Sequence, residues 1–436
     1  MMRGRLGAAL RVALVLIALA PRSRGATTSL DHASLADQSA GQQWAMRKKA
    51  WLAGGVATVV LAAIAGAIVF VSGIVPIKAS SGHWAITAWL LDVAKQRSVS
   101  THTIGTRVPP LEGAALAMKG AAHFEFGCAP CHGSPVLQQP TIASRMTPTP
   151  PDLRQAGSTF EPAELFYIVK HGIKFTGMPA WPAHTRDDEV WAMVAFLRRL
   201  PSLDARGYVE LAAPHDAADM PDPLESLTPP RSVPDAIRES CARCHGADGL
   251  GRGTGAFPKL AGQRPAYLLA SLEAYARGQR HSGIMQPAAA PLDRDEMRQI
   301  AEYYSGLDGG GSALGSLHAE TRADTGAEDL GRRIATRGLP DQLIPPCIEC
   351  HGPGEQPRNP HYPRLAGQYA EYLELQLRLF KAGQRGGTSY ASIMHKVASR
   401  LSEDQMQAVA SYLASTAPPV ARPTGEIRTS GADADR

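Results

Sequence analysis

The sequence predicts an all-α protein: three small helical domains in tandem after one N-terminal transmembrane helix. Three observations predict it. A charge-free apolar run fills residues 51–75. Beyond residue 110, the motif Cys-x-x-Cys-His recurs three times, each time followed by a methionine and then an amphipathic helical pattern. No segment shows a convincing series of alternating strands.

Length and charge bound the answer further. A chain of 436 residues accommodates about three domains of roughly 100–150 residues. The net charge of +5 is unevenly spread. Residues 1–100 hold eleven Lys/Arg against Asp31, Asp37 and Asp92, a balance of +8, whereas the remainder carries 34 basic and 37 acidic residues, a balance of −3. The basic excess belongs to the N-terminal region, and nothing in the rest argues for a nucleic-acid partner.

The first element is the anchor, residues 51–76. Its run WLAGGVATVVLAAIAGAIVFVSGIV exceeds the about 20 residues a helix needs to cross a bilayer. Arg47, Lys48 and Lys49 precede it and only Lys78 follows closely, so the N-terminal side faces the cytoplasm and the remainder lies outside. Residues 1–50 read as a cytoplasmic or signal-like segment, because Leu6–Ala20 resembles a signal-peptide core interrupted by Arg11. Residues 77–111 are juxtamembrane. Within them, 83–96 show helical apolar spacing, which suits either the headgroup level, through Trp84 and Trp89, or packing on the first domain.

Three units follow, at 112–202, 232–308 and 326–416. Each has a short opening helix, the cysteine motif, a long loop, a methionine and a closing helix. In the first, the opening helix is expected near 112–126 and the closing helix near 187–200, with Asp187 or Asp188 as cap. In the third, Ser402 with Gln405 fits a capping box. Linkers are expected at the Pro-, Ala- and Asp-rich 203–231 and the Gly-rich 308–316, with a disordered tail at 417–436. FPKLAGQ at 257–263 matches YPRLAGQ at 362–368, Tyr267 matches Tyr372, and ARGQR at 276–280 matches KAGQR at 381–385. The first unit lacks this block, so the second and third are expected to pack as a pair.

The motif carries the chemistry. It reads CAPCH at 128–132, CARCH at 241–245 and CIECH at 347–351. Two thiols three positions apart at the start of a helix reach both vinyl groups of one porphyrin, and the adjacent histidine falls under the iron. This spacing is that of c-type haem attachment. Cys128, Cys131, Cys241, Cys244, Cys347 and Cys350 are all used, leaving none for a disulfide. A zinc site would pair two motifs, which an odd count of three does not allow, and a thioredoxin-like motif does not require the histidine. The expectation is three covalently bound haem c groups, with His132, His245 and His351 as proximal iron ligands. A unit this small makes only a modest core, and a haem supplies apolar surface it lacks.

The sixth ligands are expected at matched late positions: Met178, Met285 and Met394, lying 46, 40 and 43 residues after the respective histidines. Met193, Met297 and Met406 fall on closing helices, where they pack. His395, His171 and His184 compete as ligands but read as ordinary loop or surface histidines. Ligation by His and Met fills both axial positions and favours the ferrous state, which suits one-electron transfer. Haem c attachment takes place on the outer face of the bacterial membrane. A signal cleaved before the 51–76 helix would leave the haem domains in the cytoplasm, so a single span is the consistent reading. Met46, ahead of Arg47–Lys49, makes a sensible start, with 1–45 as an extension.

Each unit resembles a class I cytochrome c domain. The 232–416 tandem resembles the dihaem cytochrome c4 group through CxxCHG, the [FY]P-x-LAGQ block and the late methionine. The resemblance implies that the Pro258 and Pro363 carbonyls accept the proximal histidine's ring N–H, with Pro150 or Pro151 as the counterpart in the first unit. It also implies that Tyr303 or Tyr304, Tyr412 and Trp191 hold the aromatic position of the closing helix. Three-haem cytochrome subunits of membrane dehydrogenases have three such domains too, but with a C-terminal anchor.

The expected protein is an electron carrier rather than an enzyme. It sits by one span in a bacterial inner membrane, with its haem domains in the periplasm, and passes single electrons through a respiratory chain toward a terminal oxidase. The alternative is the electron-acceptor subunit of a membrane-associated dehydrogenase complex. A haem peroxidase would need an open axial site. The expected partners are redox proteins and the membrane.

Overall fold

The computed structural model describes residues 32–74, 78–155, 159–212, 237–309, 325–352 and 359–417. The signal-like stretch, most of both expected linkers and nearly all of the tail lie outside them. The described chain falls into two compact units, Met1–Lys78 and Ala79–Arg436. All regular elements among the described residues are helices, beside one isolated bridge between Leu339 and Ile344.

In the first unit, α1 runs from His32 to Ser72. Its Trp44–Ser72 portion is long and apolar enough to cross a membrane, and none of it is buried against protein. Lys48 lies over the Trp44 ring at 3.7 Å, so the basic flank meets an aromatic residue just ahead of the apolar run.

The second unit opens with α2, Ala85–His102. Its C-terminal end docks on α4 (Pro162–His171) of the first domain: Ser100 Oγ donates to Glu164 at 2.8 Å and His102 stacks on Tyr167. Trp84 and Trp89 remain exposed. The helix thus packs on the domain at one end and keeps its tryptophans uncovered at the other.

The first domain contains α3 (Ala114–Gly127), α4, α5 (Asp187–Arg199) and α6 (Ala205–Ala212). α3 and α5 cross closely because Gly120 presents no side chain: a Cβ there would lie 2.2 Å from the Ala192 carbonyl oxygen. Around the crossing, Phe124 and Phe196 have ring centroids 5.1 Å apart, and Tyr208 meets the Phe124 edge at 83°. All three rings are fully buried, which at about 1.5–3 kcal/mol each makes this crossing the domain's main apolar anchor. α5 starts with Asp187, Asp188 and Glu189 and ends with Arg198 and Arg199, opposing the helix macrodipole at both ends. No aspartate caps it, however. The N-cap is Arg186, and Asp188 instead takes a bidentate bond from Arg186 at 2.8 Å and a bond from Lys119 at 3.2 Å. α6 occupies sequence expected to be linker. Its Tyr208 is drawn inward by the buried Glu125 carboxylate, to which its hydroxyl donates.

The second domain contains α7 (Pro265–Ala276), α8 (Met285–Ala289) and α9 (Arg294–Gly306), the last closed by an Asp293/Glu296 capping box. Most of its opening segment lies outside the described residues. The third contains α10 (Thr325–Arg337), α11 (Ala370–Lys381), α12 (Ala391–Ala398) and α13 (Glu403–Ser415). The Ser402/Gln405 capping box forms as expected, with Gln405 N donating to Ser402 Oγ at 3.2 Å. Gly331 repeats the role of Gly120: a Cβ there would lie 2.2 Å from the Ala408 carbonyl oxygen and 2.9 Å from Tyr412 Cβ.

That repetition settles the aromatic position. Gly120 meets Ala192 and Phe196, and Gly331 meets Ala408 and Tyr412, so Phe196 and not Trp191 stands where Tyr412 does. Trp191 instead stacks on Phe166 of α4, at 4.2 Å and 18°. In the second domain, Gly262 N bonds Tyr304 O as Gly367 N bonds Leu413 O. Tyr304 therefore pairs with Leu413, which leaves Tyr303 as the counterpart of Tyr412.

The second and third domains face each other through the LAGQ blocks. Gln263 Nε2 donates to Arg364 O at 2.9 Å and its Oε1 accepts from Arg364 N at 2.7 Å. Gln368 does the same with Lys259, at 2.9 Å in both directions. The two glutamines exchange a pair of backbone bonds as a pseudo-twofold clasp, and both are buried, so these bonds form out of water.

Candidate functional site

Each cysteine motif forms one tight helical turn: Ala129–His132, Ala242–His245 and Cys347–His351. Such a turn brings the residues at i and i+3 to the same face with the histidine beside them. Gly133 and Gly246, with φ of 71° and 77°, end the first two turns in a conformation only glycine adopts cheaply. All six cysteines are unpaired. Burial pushes the Cys128 and Cys241 thiols up to about 12, which is the reverse of a redox-active dithiol.

The three histidines are oriented alike. His132 Nδ1 bonds the Pro151 carbonyl at 2.8 Å, His245 Nδ1 bonds Pro258 at 3.0 Å, and His351 Nδ1 bonds Pro363 at 2.9 Å. In the first domain the partner is thus Pro151, while Pro150 O accepts from Gln139 instead, at 2.8 Å. A carbonyl acceptor requires Nδ1 to carry the proton, so in a neutral ring the lone pair is on Nε2. Burial lowers the pKa of His132 and His245, the carbonyl bond partly offsetting it, so both rings stay neutral and able to ligate.

A cavity of about 610 Å³ lies between the second and third domains and is bordered on one side by α3 and Glu189 of the first. Cys241, Cys244, His245 and Met285 line it together with Cys347, Cys350, His351 and Met394. Both cysteine motifs and both expected methionines therefore border one continuous apolar space. Met285 opens α8 and Met394 lies within α12, so both stand on helical turns. Cys128, Cys131, His132 and Met178 do not line this cavity. Met178 sits on a separate reverse turn, held by Ile173 N to Met178 O at 3.3 Å and Met178 N to Thr176 Oγ1 at 3.1 Å. Of the competing histidines, His395 is occupied: its Nε2 bonds Arg385 O at 2.5 Å.

The same cavity holds buried positive charge that the sequence reading passed over. Arg280, 5% exposed, donates to Ser271 Oγ at 3.0 Å and Tyr372 OH at 3.3 Å. Arg385 donates to Tyr267 OH at 3.0 Å. Among the described residues no carboxylate pairs with either guanidinium. The positive potential is strong enough to lower the Tyr267 hydroxyl despite its burial. A buried cation needs a counter-charge; the cavity's own carboxylates, Glu189 and Glu371, form no ion pair with Arg280 or Arg385 among the described residues, and the two propionates of a haem would supply one. The donor set fits haem c: paired thiols, a neutral imidazole, an apolar slot, a thioether and unneutralised arginines. The signal was in the sequence, because Arg280 and Arg385 end the two matched blocks ARGQR and KAGQR.

Comparison with known proteins adds three findings. Residues 115–197 match the family model for cytochrome c oxidase, cbb3-type, subunit III, and residues 235–308 and 342–417 match the cytochrome c model. A thiosulfate dehydrogenase electron acceptor of Thiomonas intermedia is 38% identical over 175 residues, 40% of this chain and 77% of that protein, and the cytochrome c4 of Stutzerimonas stutzeri is 33% identical over 183 residues, covering 40% and 82%. The crystal structure of reduced recombinant cytochrome c4 from Pseudomonas stutzeri covers 40% of this chain and 93% of its own, at 32% identity and a TM-score of 0.36.

Proposed function

The chain belongs to the cytochrome c family and to its cytochrome c4-like members, and from that premise we propose that it is a membrane-anchored triheme electron carrier of the bacterial periplasm. Haem c, when bound, supplies a one-electron iron couple. The chain's own residues do the rest. Cys128/Cys131, Cys241/Cys244 and Cys347/Cys350 would tether the three groups, and His132, His245 and His351 would hold the iron. Met178, Met285 and Met394 would supply the thioether ligands. The observation that supports the reading most is the threefold histidine-to-proline-carbonyl bond, which orients the motif histidine by the same ring nitrogen in each domain. A histidine and a methionine in each domain would leave no open iron site for a substrate, which suits one-electron transfer.

The apolar α1 portion, with its basic N-terminal flank, supports a single span that leaves the haem domains outside the cytoplasm. Electrons would leave toward a terminal oxidase. The relative named as a thiosulfate dehydrogenase electron acceptor favours a second reading for the entry side, in which this chain accepts electrons from a dehydrogenase held in the same complex.

Two measurements test the proposal. Mass analysis of the mature polypeptide is expected to show three covalent haem additions, and fewer would overturn the triheme reading. Replacing Met178, Met285 and Met394 singly with leucine is expected to remove one methionine-to-ferric-iron absorption band each. A replacement without effect would mark that haem as open or otherwise ligated. For the entry side, the complex is solubilised intact: copurification of a catalytic dehydrogenase subunit favours the acceptor role, and its absence favours the oxidase-directed carrier.

A further inference from the structure

The first domain reaches into the turn that carries Met285. Residues 281–284 belong by sequence to the second domain, yet they are held by α5 and the loop before it. Thr185 Oγ1 lies 3.2 Å from His281 Nδ1, and Arg186 Nη1 donates to His281 O at 2.8 Å. Glu189, 2% exposed, is the centre. Its Oε1 accepts from Ser282 Oγ at 2.6 Å and pairs with Arg186 Nη1 at 3.0 Å. Its Oε2 accepts from Gly283 N at 2.7 Å and from Trp181 Nε1 at 3.2 Å. Ser282 Oγ in turn accepts from Met285 N at 3.0 Å. Ile284, immediately before the methionine, packs into the first domain's apolar core. The fit is close, since a Cβ on Gly283 would fall 2.1 Å from Trp181 Nε1.

We propose that Glu189 is a positioning residue through which the first domain sets the sixth ligand of the second haem. A carboxylate with four donors and almost no exposure has one geometry available. It fixes Ser282 and Gly283, and Ser282 fixes the Met285 amide, so the thioether is aimed by a residue about 95 positions upstream in another domain. Trp181 lies three residues after Met178, so the two methionine-bearing turns meet on one indole–carboxylate pair. The potential of the second haem therefore depends on the docking of the first domain.

This rests on Met285 being an iron ligand, and the experiment separates the two claims. It uses the full haem-loaded chain, with the absorption bands and midpoint potentials of all three haems read by redox titration. Met285→Leu must remove one methionine band; if it does not, the ligand assignment itself fails. Given that loss, Glu189→Ala and Ser282→Ala are each expected to weaken the Met285-dependent band and lower that same midpoint, leaving the other two in place. A tenfold loss of the thioether's preference for ferrous iron corresponds to about 59 mV. Gly283→Ala, which leaves Glu189 and Ser282 in the chain but displaces Trp181, one of the carboxylate's donors, is expected to move the same midpoint. The proposal is overturned if Ser282→Ala and Gly283→Ala leave the second midpoint unchanged. It is equally overturned if all three midpoints shift together, the signature of general loosening. Should Glu189→Ala fail to fold, the other two variants decide.

Discussion

Adding a single methyl group at Gly120 or Gly331 tests the helix crossings that position two of the three cysteine turns. At both positions the new Cβ would lie 2.2 Å from a carbonyl oxygen of the closing helix, where ordinary contact begins at 3.4 Å. The helices must therefore separate by about 1.2 Å, the difference between these two distances. The obstructing atom is backbone, so no rotamer change relieves it. Overpacking of this kind costs about 1–3 kcal/mol, and a rigid obstacle puts the cost near the upper end. Alanine recovers about 0.5–1 kcal/mol over glycine in a helix interior, which leaves a net loss of about 2 kcal/mol. For a domain of 60–100 residues, each kcal/mol moves Tm by about 4–8 °C, so the affected transition should fall by about 8–16 °C. Calorimetry of the haem-loaded chain resolves the domain transitions separately, which matters because three domains do not melt as one. The methionine–iron band of the affected domain should vanish in the same transition. Gly306→Ala is the control: it adds the same methyl at the end of α9 with nothing within 4 Å, and should melt no earlier than the parent chain. If Gly120→Ala and Gly331→Ala melt no earlier than the control, close helix approach does not support these domains.

Other consequences follow from single contacts. Tyr208→Phe removes the hydroxyl that serves the Glu125 carboxylate, 1% exposed, and should destabilise the first domain by about 1–3 kcal/mol in urea unfolding, whereas Tyr167→Phe should not. Burial works against the Asp188 charge, but Lys119 and Arg186 outweigh it and hold its pKa below the usual carboxylate range. A lowered folded value means stability that is complete above the unfolded value, about 4, and lost as pH falls toward the folded one. The stability gap between the parent chain and Asp188→Asn should thus be constant from about pH 7 to 5 and shrink in more acidic buffer; a gap that widens on acidification would contradict the pairing. Gln263→Ala should accelerate amide hydrogen exchange at Arg364 and leave Lys259 protected, and Gln368→Ala should do the reverse, because each glutamine clasps only its own partner. Equal acceleration at both amides in either variant would mean that the clasp opens as a unit.

What the sequence by itself determined is what local spacing encodes. Cys-x-x-Cys-His states its chemistry within five residues, a charge-free run of 25 states its length against a bilayer, and Ser402 with Gln405 states its cap, because each interaction closes within one or two helical turns. Repetition extended this reach: the matched blocks at 257–263 and 362–368 contain both clasp glutamines and announced that these domains pair. Asp188 marks the limit. Its place at the head of α5 read as a cap, but Lys119, 69 residues away, and Arg186 claim its carboxylate. Trp191 read as the aromatic of the closing helix, yet the close approach at Gly120 gives that place to Phe196, since the face a helix presents depends on where its partner crosses. The helix at 205–212 was hidden in linker-like composition because Tyr208 gains its reason to be buried only from Glu125, 83 residues away. Glu189 carries no motif at all. Its four donors come from both sides of the chain's boundary between two domains, and only the folded arrangement brings them to one carboxylate.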